Sequence, residues 1–174
     1  MQRFLSDISI GRHRAYLSDM EARYRIFRKD APGLPDLSED FCTRGRAFAG
    51  CLQARALYTD IFLHRMFFSC FTGHCNAPKD ARKIEKISAF LSGVYRAALS
   101  AQGDFLLLSA DGRGRLSLSS GRDVVFALCR ERPLVCLDLA EHVYCYDYGF
   151  DKRGYLRAAL SNLDLSLISE YVPS

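Results

Sequence analysis

The stretch Pro133-Leu134-Val135-Cys136-Leu137-Asp138-Leu139-Ala140-Glu141-His142-Val143-Tyr144 decides how this chain reads. An apolar strand-like run stops at a carboxylate, and an imidazole follows four residues later. With His64, on an apolar helix far upstream, Asp138 and His142 make three ligands of a carboxylate–imidazole site. A mixed nitrogen and oxygen set suits iron or manganese better than zinc, which favours thiolate-rich or closed tetrahedral shells.

Around this segment the composition is that of a folded protein. The 174 residues are 49% hydrophobic and 25% charged, enough to bury a real core and incompatible with wholesale disorder. The net charge of +4 hides an imbalance of 19 Arg to 5 Lys. Arg is the better partner for phosphate, although charge alone supports only non-specific claims. Seven cysteines without a CxxC pair sit mostly in apolar runs, which points to a reducing compartment rather than a disulfide framework. No run approaches the roughly 20 apolar residues of a membrane span. Arg3, Arg12 and Arg14, interleaved with Phe4, Leu5, Ile8 and Ile10, are similar to an amphipathic organellar address, against which Asp7 and the shortness of the stretch count.

Periodicity gives the organisation. Tyr16, Met20, Tyr24 and Phe27 predict a helix over 9–29, ended by Ala31-Pro32-Gly33. A second helix is expected from Ser38 through Cys51, Ala54, Leu57, Phe62, Met66 and Phe67, too apolar to lie on a surface. Asn76-Ala77-Pro78 breaks the chain, and Ile84–Ser100 reads as a third helix. Then come a strand at 104–109, hairpin punctuation at 110–114 and an alternating strand at 115–119. Val124–Leu128 with Leu134–Leu137 supply another strand, and 139–170 returns to helix. The class is α+β: an N-terminal helical hairpin lobe (1–76), then a lobe (77–174) with a three-stranded antiparallel sheet and helices.

The Asp138 segment resembles the Asp-x-Trp-Glu-His-Ala-Tyr signature of the iron/manganese superoxide dismutases. Tyr148 to Tyr155, with Lys152 and Arg153 between, resembles that family's Tyr-x-Asn-Arg-Arg-x-x-Tyr run. His64-Arg65-Met66-Phe67-Phe68 is similar to its Asn-His-x-x-Phe-Trp stretch, and His13-Arg14-Ala15-Tyr16-Leu17 to its His-x-x-Tyr-Val stretch. Gly103–Ser119 falls where the family has a Gly-Ser-Gly-Trp-Ala-Trp hairpin.

The resemblance implies that His64, Asp138 and His142 are metal-ligand positions. Tyr16 is then the tyrosine lining the substrate channel, and Glu141 the glutamate that bonds a ligand histidine across a dimer interface. It also implies losses. The first ligand belongs eight residues before Tyr16, where Ile8 stands; the channel-mouth histidine becomes Arg12, and its tyrosine partner becomes Cys145. The family's glutamine is matched by Asp60 or falls near Arg122, and no tryptophan remains. His13 as a surrogate ligand is disfavoured because its offset places it on another helical face.

Because ligand and outer-shell losses compound, the expected protein is a pseudoenzyme. His64, Asp138 and His142 would be relic positions persisting as a buried hydrogen-bonded network, with no metal or cofactor. The resemblance extends to degenerate members of the family in the small subunit of the mitochondrial ribosome. It implies a mitochondrial structural component, heterodimeric with a related superoxide-dismutase-like chain, beside other ribosomal proteins and with ribosomal RNA a candidate neighbour. The alternative is an active iron or manganese superoxide dismutase with an altered ligand set.

Overall fold

A computed structural model describes residues 4–39, 51–71, 80–121 and 123–172. The first helix, α1 (Asp7–Asp30), starts where the Ser6 hydroxyl accepts from the Ser9 N–H at 3.2 Å. Asp7 in its first turn and Arg28 and Lys29 in its last complement the helix dipole. α2 (Leu52–Ser69) is the apolar helix carrying His64; the onset expected at Ser38 leads into 40–50, outside the described residues, as does the break at Asn76–Pro78. α3 (Ala81–Ser100) begins at Asp80, which accepts from the Arg82 N–H.

Three antiparallel strands follow, β1 (Phe105–Ala110), β2 (Leu116–Ser120) and β3 (Arg132–Asp138), in the order β2-β1-β3. The β1–β2 turn is tied by Asp111, whose carboxylate accepts the N–H groups of Arg113 and Arg115, and Gly114 supplies the positive φ of 75°. Between β2 and β3 the chain forms α4 (Asp123–Arg130). This corrects the strand expected at Val124–Leu128. Val124, Ala127 and Leu128 are buried at helical spacing, and a short β-branched apolar run cannot be told from a buried helix by periodicity alone. The long C-terminal helix is also interrupted. α5 (Glu141–Tyr148) stops at Gly149, α6 (Lys152–Ser161) restarts on an Asp151 cap, and α7 (Ser166–Ser169) is one turn.

The sheet is a wall with cores on both faces. Leu106 and Leu108 of β1 and Val135 and Leu137 of β3 join Ile87, Val94, Tyr155 and Leu156 on one side. Phe105, Leu107 and Cys136 join Met20, Tyr24, Tyr58 and Leu63 of α1 and α2 on the other. Phe4 packs on Phe71 and Tyr155, and Leu5 is buried, so these two residues of the stretch resembling an organellar address belong to the core. Among the described residues no helix is long and apolar enough to cross a membrane.

Candidate metal centre

Four elements converge behind the end of β3. α1 contributes His13 and α2 His64; Asp138 is the last residue of β3, and His142 lies in the first turn of α5. One donor atom from each lies within 4.8 Å of every other. His13 Nε2 is 3.2 Å and His64 Nε2 3.4 Å from Asp138 Oδ2. His13, His64 and Asp138 are buried, while His142 sits on the open side.

Outer contacts fix the aim of these side chains. The Asp60 carbonyl accepts from His64 Nδ1–H at 2.7 Å, which leaves Nε2 as the lone-pair nitrogen facing the cluster. Asp138 spends Oδ1 on the Ala140 N–H at 3.0 Å, and its carbonyl accepts the buried Tyr155 hydroxyl at 2.6 Å. Phe105 stands edge-on to His64 at 5.0 Å, and Phe68 covers His13 at 4.8 Å. Tyr16, about half exposed, lies over His64 and His142 with ring centroids 5.5 and 5.0 Å away.

The atoms that face inward are unsatisfied. Both ring nitrogens of His13, Nε2 of His64 and Oδ2 of Asp138 are buried without a hydrogen-bond partner. The self-satisfied network expected of His64, Asp138 and His142 is therefore not formed. An orphaned carboxylate oxygen among imidazole lone pairs is the arrangement a cation completes. The protonation states agree. Burial holds His13 down to about 4. Burial lowers His64 and His142 too, with Asp138 pulling each the other way. Burial pushes Asp138 up to about 6, against the pull of His64, so at neutral pH the site offers uncharged imidazoles and an ionised carboxylate. Three nitrogens and one oxygen form an open donor set fitted to iron or manganese.

Two sequence expectations are corrected here. His13, disfavoured as a surrogate, is the fourth donor. Ile8, the expected first-ligand position, is 61% exposed and is no part of the core. The buried seam of α1 runs through Ser9, His13, Met20 and Tyr24, so counting back seven from Met20 reaches His13. Arg12 stacks its guanidinium 4.0 Å above the Tyr146 ring at the surface. The expected absence of a metal rested on a missing fourth donor, and with His13 present it loses that support.

Other predicted residues lie around the centre. Glu141 and Cys145 are exposed on α5, outside the donor cluster. Asp60 is partly buried, and burial with the nearby carboxylates of Asp104 and Asp138 raises it to about 6. Arg122 is outside the described residues.

Residues 80–171, more than half of the chain, match the family described as iron/manganese superoxide dismutases, C-terminal domain. That span contains Asp138 and His142 but neither helical donor. No curated protein matches the chain.

Proposed function

The chain belongs to the iron/manganese superoxide dismutase family, and on that basis we propose that it holds one iron or manganese ion and acts on superoxide. The observation that carries this reading is the convergence of His13, His64, Asp138 and His142, with their inward atoms buried and unpartnered. The bound ion would supply one-electron chemistry by alternating between two oxidation states. The chain's own residues would do the rest. Asp138 supplies the single negative charge, and the Asp60 carbonyl holds the His64 tautomer. Phe68 and Phe105 exclude water from the inner side, and Tyr16 stands over the open side beside His142. An approaching small anion would meet the Tyr16 hydroxyl there, a group able to donate a hydrogen bond or a proton.

Metal analysis of the purified chain after loading with Mn²⁺ or Fe²⁺, joined to a superoxide-consumption assay, tests this. The expected result is one ion per chain and activity that disappears with His64→Ala. A chain that takes up no ion and shows no metal-dependent rise in melting temperature would overturn it.

A second reading is favoured by the surface and by the replacements around the site. Tyr146 is 54% and Phe150 94% exposed at α5, an aromatic face suited to burial by a partner. Asp60 stands where the resemblance implies an amide, and Arg12 and Cys145 stand where it implies a His–Tyr pair across a two-fold. A non-catalytic structural role would account for these features, and the resemblance alone supplies the assembly, the mitochondrial ribosome small subunit. The chain would be heterodimeric with a related chain and held among ribosomal proteins and RNA. Co-sedimentation with ribosomal subunits of a metal-free chain would establish it over the first reading.

A further inference from the structure

Outside the metal centre, a surface groove of about 780 Å³ lies between α3 and α6 and has no role in the site already described. Its apolar lining is Leu91 and Tyr95 of α3, Leu160 of α6, and Leu163 and Leu165 of the turn that follows. Leu160 and Leu163 are buried beneath it, while Leu91, Tyr95 and Leu165 stay half exposed. Among the described residues the charged groups in the lining are Arg96 and Arg157, both exposed, and none of the lining residues is acidic. Arg96 has no acidic partner among the described residues, and Arg157 makes only a 3.3 Å bond to the Arg153 carbonyl. Asp164, between the lining residues Leu163 and Leu165, accepts from the Ser166 N–H and hydroxyl.

The remaining polar lining makes few demands. Ser92 and Ser161 donate their hydroxyls to the carbonyls of Ser88 and Arg157 on their own helices. An apolar cover would therefore strand neither hydroxyl. Along α3 the lining residues run from Ser88 to Arg96, about 12 Å and roughly two helical turns. An aliphatic floor flanked by unpaired guanidiniums is complementary to a ligand with an apolar stripe and acidic edges. We propose that this groove docks an acidic amphipathic helix of a partner protein, its leucine-type side chains on the floor and its carboxylates on Arg96 and Arg157.

The full chain can be titrated, by fluorescence anisotropy, into a dye-labelled helical peptide of about three turns with leucines on one face and glutamates beside them. A counterpart with lysines replacing the glutamates is run in parallel. The glutamate peptide should bind, and its lysine counterpart should bind about tenfold or more weakly. The double variant Arg96→Glu/Arg157→Glu should reverse that order. Both changes are on exposed side chains, and an unchanged melting curve will confirm an intact fold. Equal affinity for the two peptides, a preference untouched by the double variant, or no binding of the glutamate peptide up to about 1 mM would overturn the proposal. So would binding to phosphatidylglycerol vesicles that the double variant loses while neither peptide binds, because the groove would then belong to an anionic lipid surface.

Discussion

Two regions build the metal centre, and they do so by different physics. The β3–α5 junction brings Asp138 and His142 together through local backbone. The strand ends, Leu139 N–H bonds the Asp104 carbonyl at 2.6 Å, Ala140 N–H caps Asp138, and a helix starts at once. α1 and α2 bring His13 and His64 together only through packing. Met20, Tyr24 and Tyr58 lock the two helices against the far face of the sheet, and Tyr24 fixes the exit loop by donating to the Pro35 carbonyl at 2.9 Å. A donor pair written into one loop survives sequence drift as a motif. A donor pair held by helix registry can move along the helix without leaving the site, provided the buried seam moves with it.

The strongest way to break this comparison is to remove the group on which both regions converge. Asp138→Asn should abolish metal binding. With Mn²⁺ or Fe²⁺ at about 100 times the dissociation constant, a native-state ligand contributes about 2.7 kcal/mol, or roughly 5–10 °C of melting temperature, and the variant should lose all of it. The metal-free variant should gain stability. Asp138 has a raised folded value, so its contribution is present below the unfolded 3.8 and lost as pH rises through about 6. At pH 7 an amide that donates to His13 or His64 relieves that cost, an increase on the order of 1–3 kcal/mol that should vanish near pH 4. His13 has the opposite sign: its stability is present above 6.5 and lost as pH falls through about 4. A metal response that survives in Asp138→Asn would show that the convergence is not a cation site.

The next test sets the two α1 positions, His13 and Ile8, against each other. His13→Ala should weaken the metal response by more than the about 10–100-fold that loss of a supporting partner costs. Ile8→Ala should stay within about 0.5 kcal/mol of the parent in stability and leave metal affinity unchanged. If instead Ile8→His raised affinity while His13→Ala did nothing, α1 would have to be turned so that its seam passes through residue 8.

Legibility in the sequence followed the same division. The carboxylate and imidazole of β3–α5 and the β1–β2 hairpin around Asp111 could be read because each is local, whereas the β1–β3 pairing joins Phe105 to Asp138 and was read from the apolar strand patterns alone. α4 was hidden because eight residues with Val124-Val125 fit either period, and only the packing of the segment against the sheet decides between them. His13 was hidden because the motif of the resemblance counts ligands from Tyr16, whereas the fold counts them from the Met20–Tyr24 stripe. That stripe was in view, and extending it toward the N-terminus reaches His13. The pairing of His13 with Asp138 depends on the packing of α1 against α5, which no local pattern specifies.

Proton competition gives a smaller effect with a defined sign. The metal-dependent rise in melting temperature should be flat above about pH 7 and shrink below it, by up to about 1.4 kcal/mol per pH unit for each proton displaced. Asp138, pushed up to about 6, takes its proton first, and the imidazoles, held below their ordinary value by burial, follow at lower pH. Thermal shifts recorded with and without Mn²⁺ between pH 4.5 and 8 will show which is limiting. A slope steeper than one proton between pH 6.5 and 5.5 would mean that the imidazoles titrate alongside Asp138 and that the burial of α1 and α2 around the site is looser than described.

The smallest effect tests the tie between the two regions. Asp147 of α5 accepts the Ser6 N–H at 2.8 Å, pinning the start of α1 to the helix that carries His142. Burial alone would raise its carboxyl, but the hydrogen bonds from Ser6 outweigh it and hold the group below its usual value. The group is mostly exposed, so Asp147→Ala should cost only about 0.5–1.5 kcal/mol, read as a few degrees of melting temperature. The consequence for metal should exceed what that modest loss implies. Asp138 stays fixed through Ala140 and Tyr155, and α5 still carries His142, while α1 is freed to slide and carries His13 with it. The metal-free melting temperature should therefore fall slightly and metal affinity should fall several-fold. If affinity is unchanged, the core contacts of Met20 and Tyr24 alone set the helical donor, and α1 needs no anchor at its first turn.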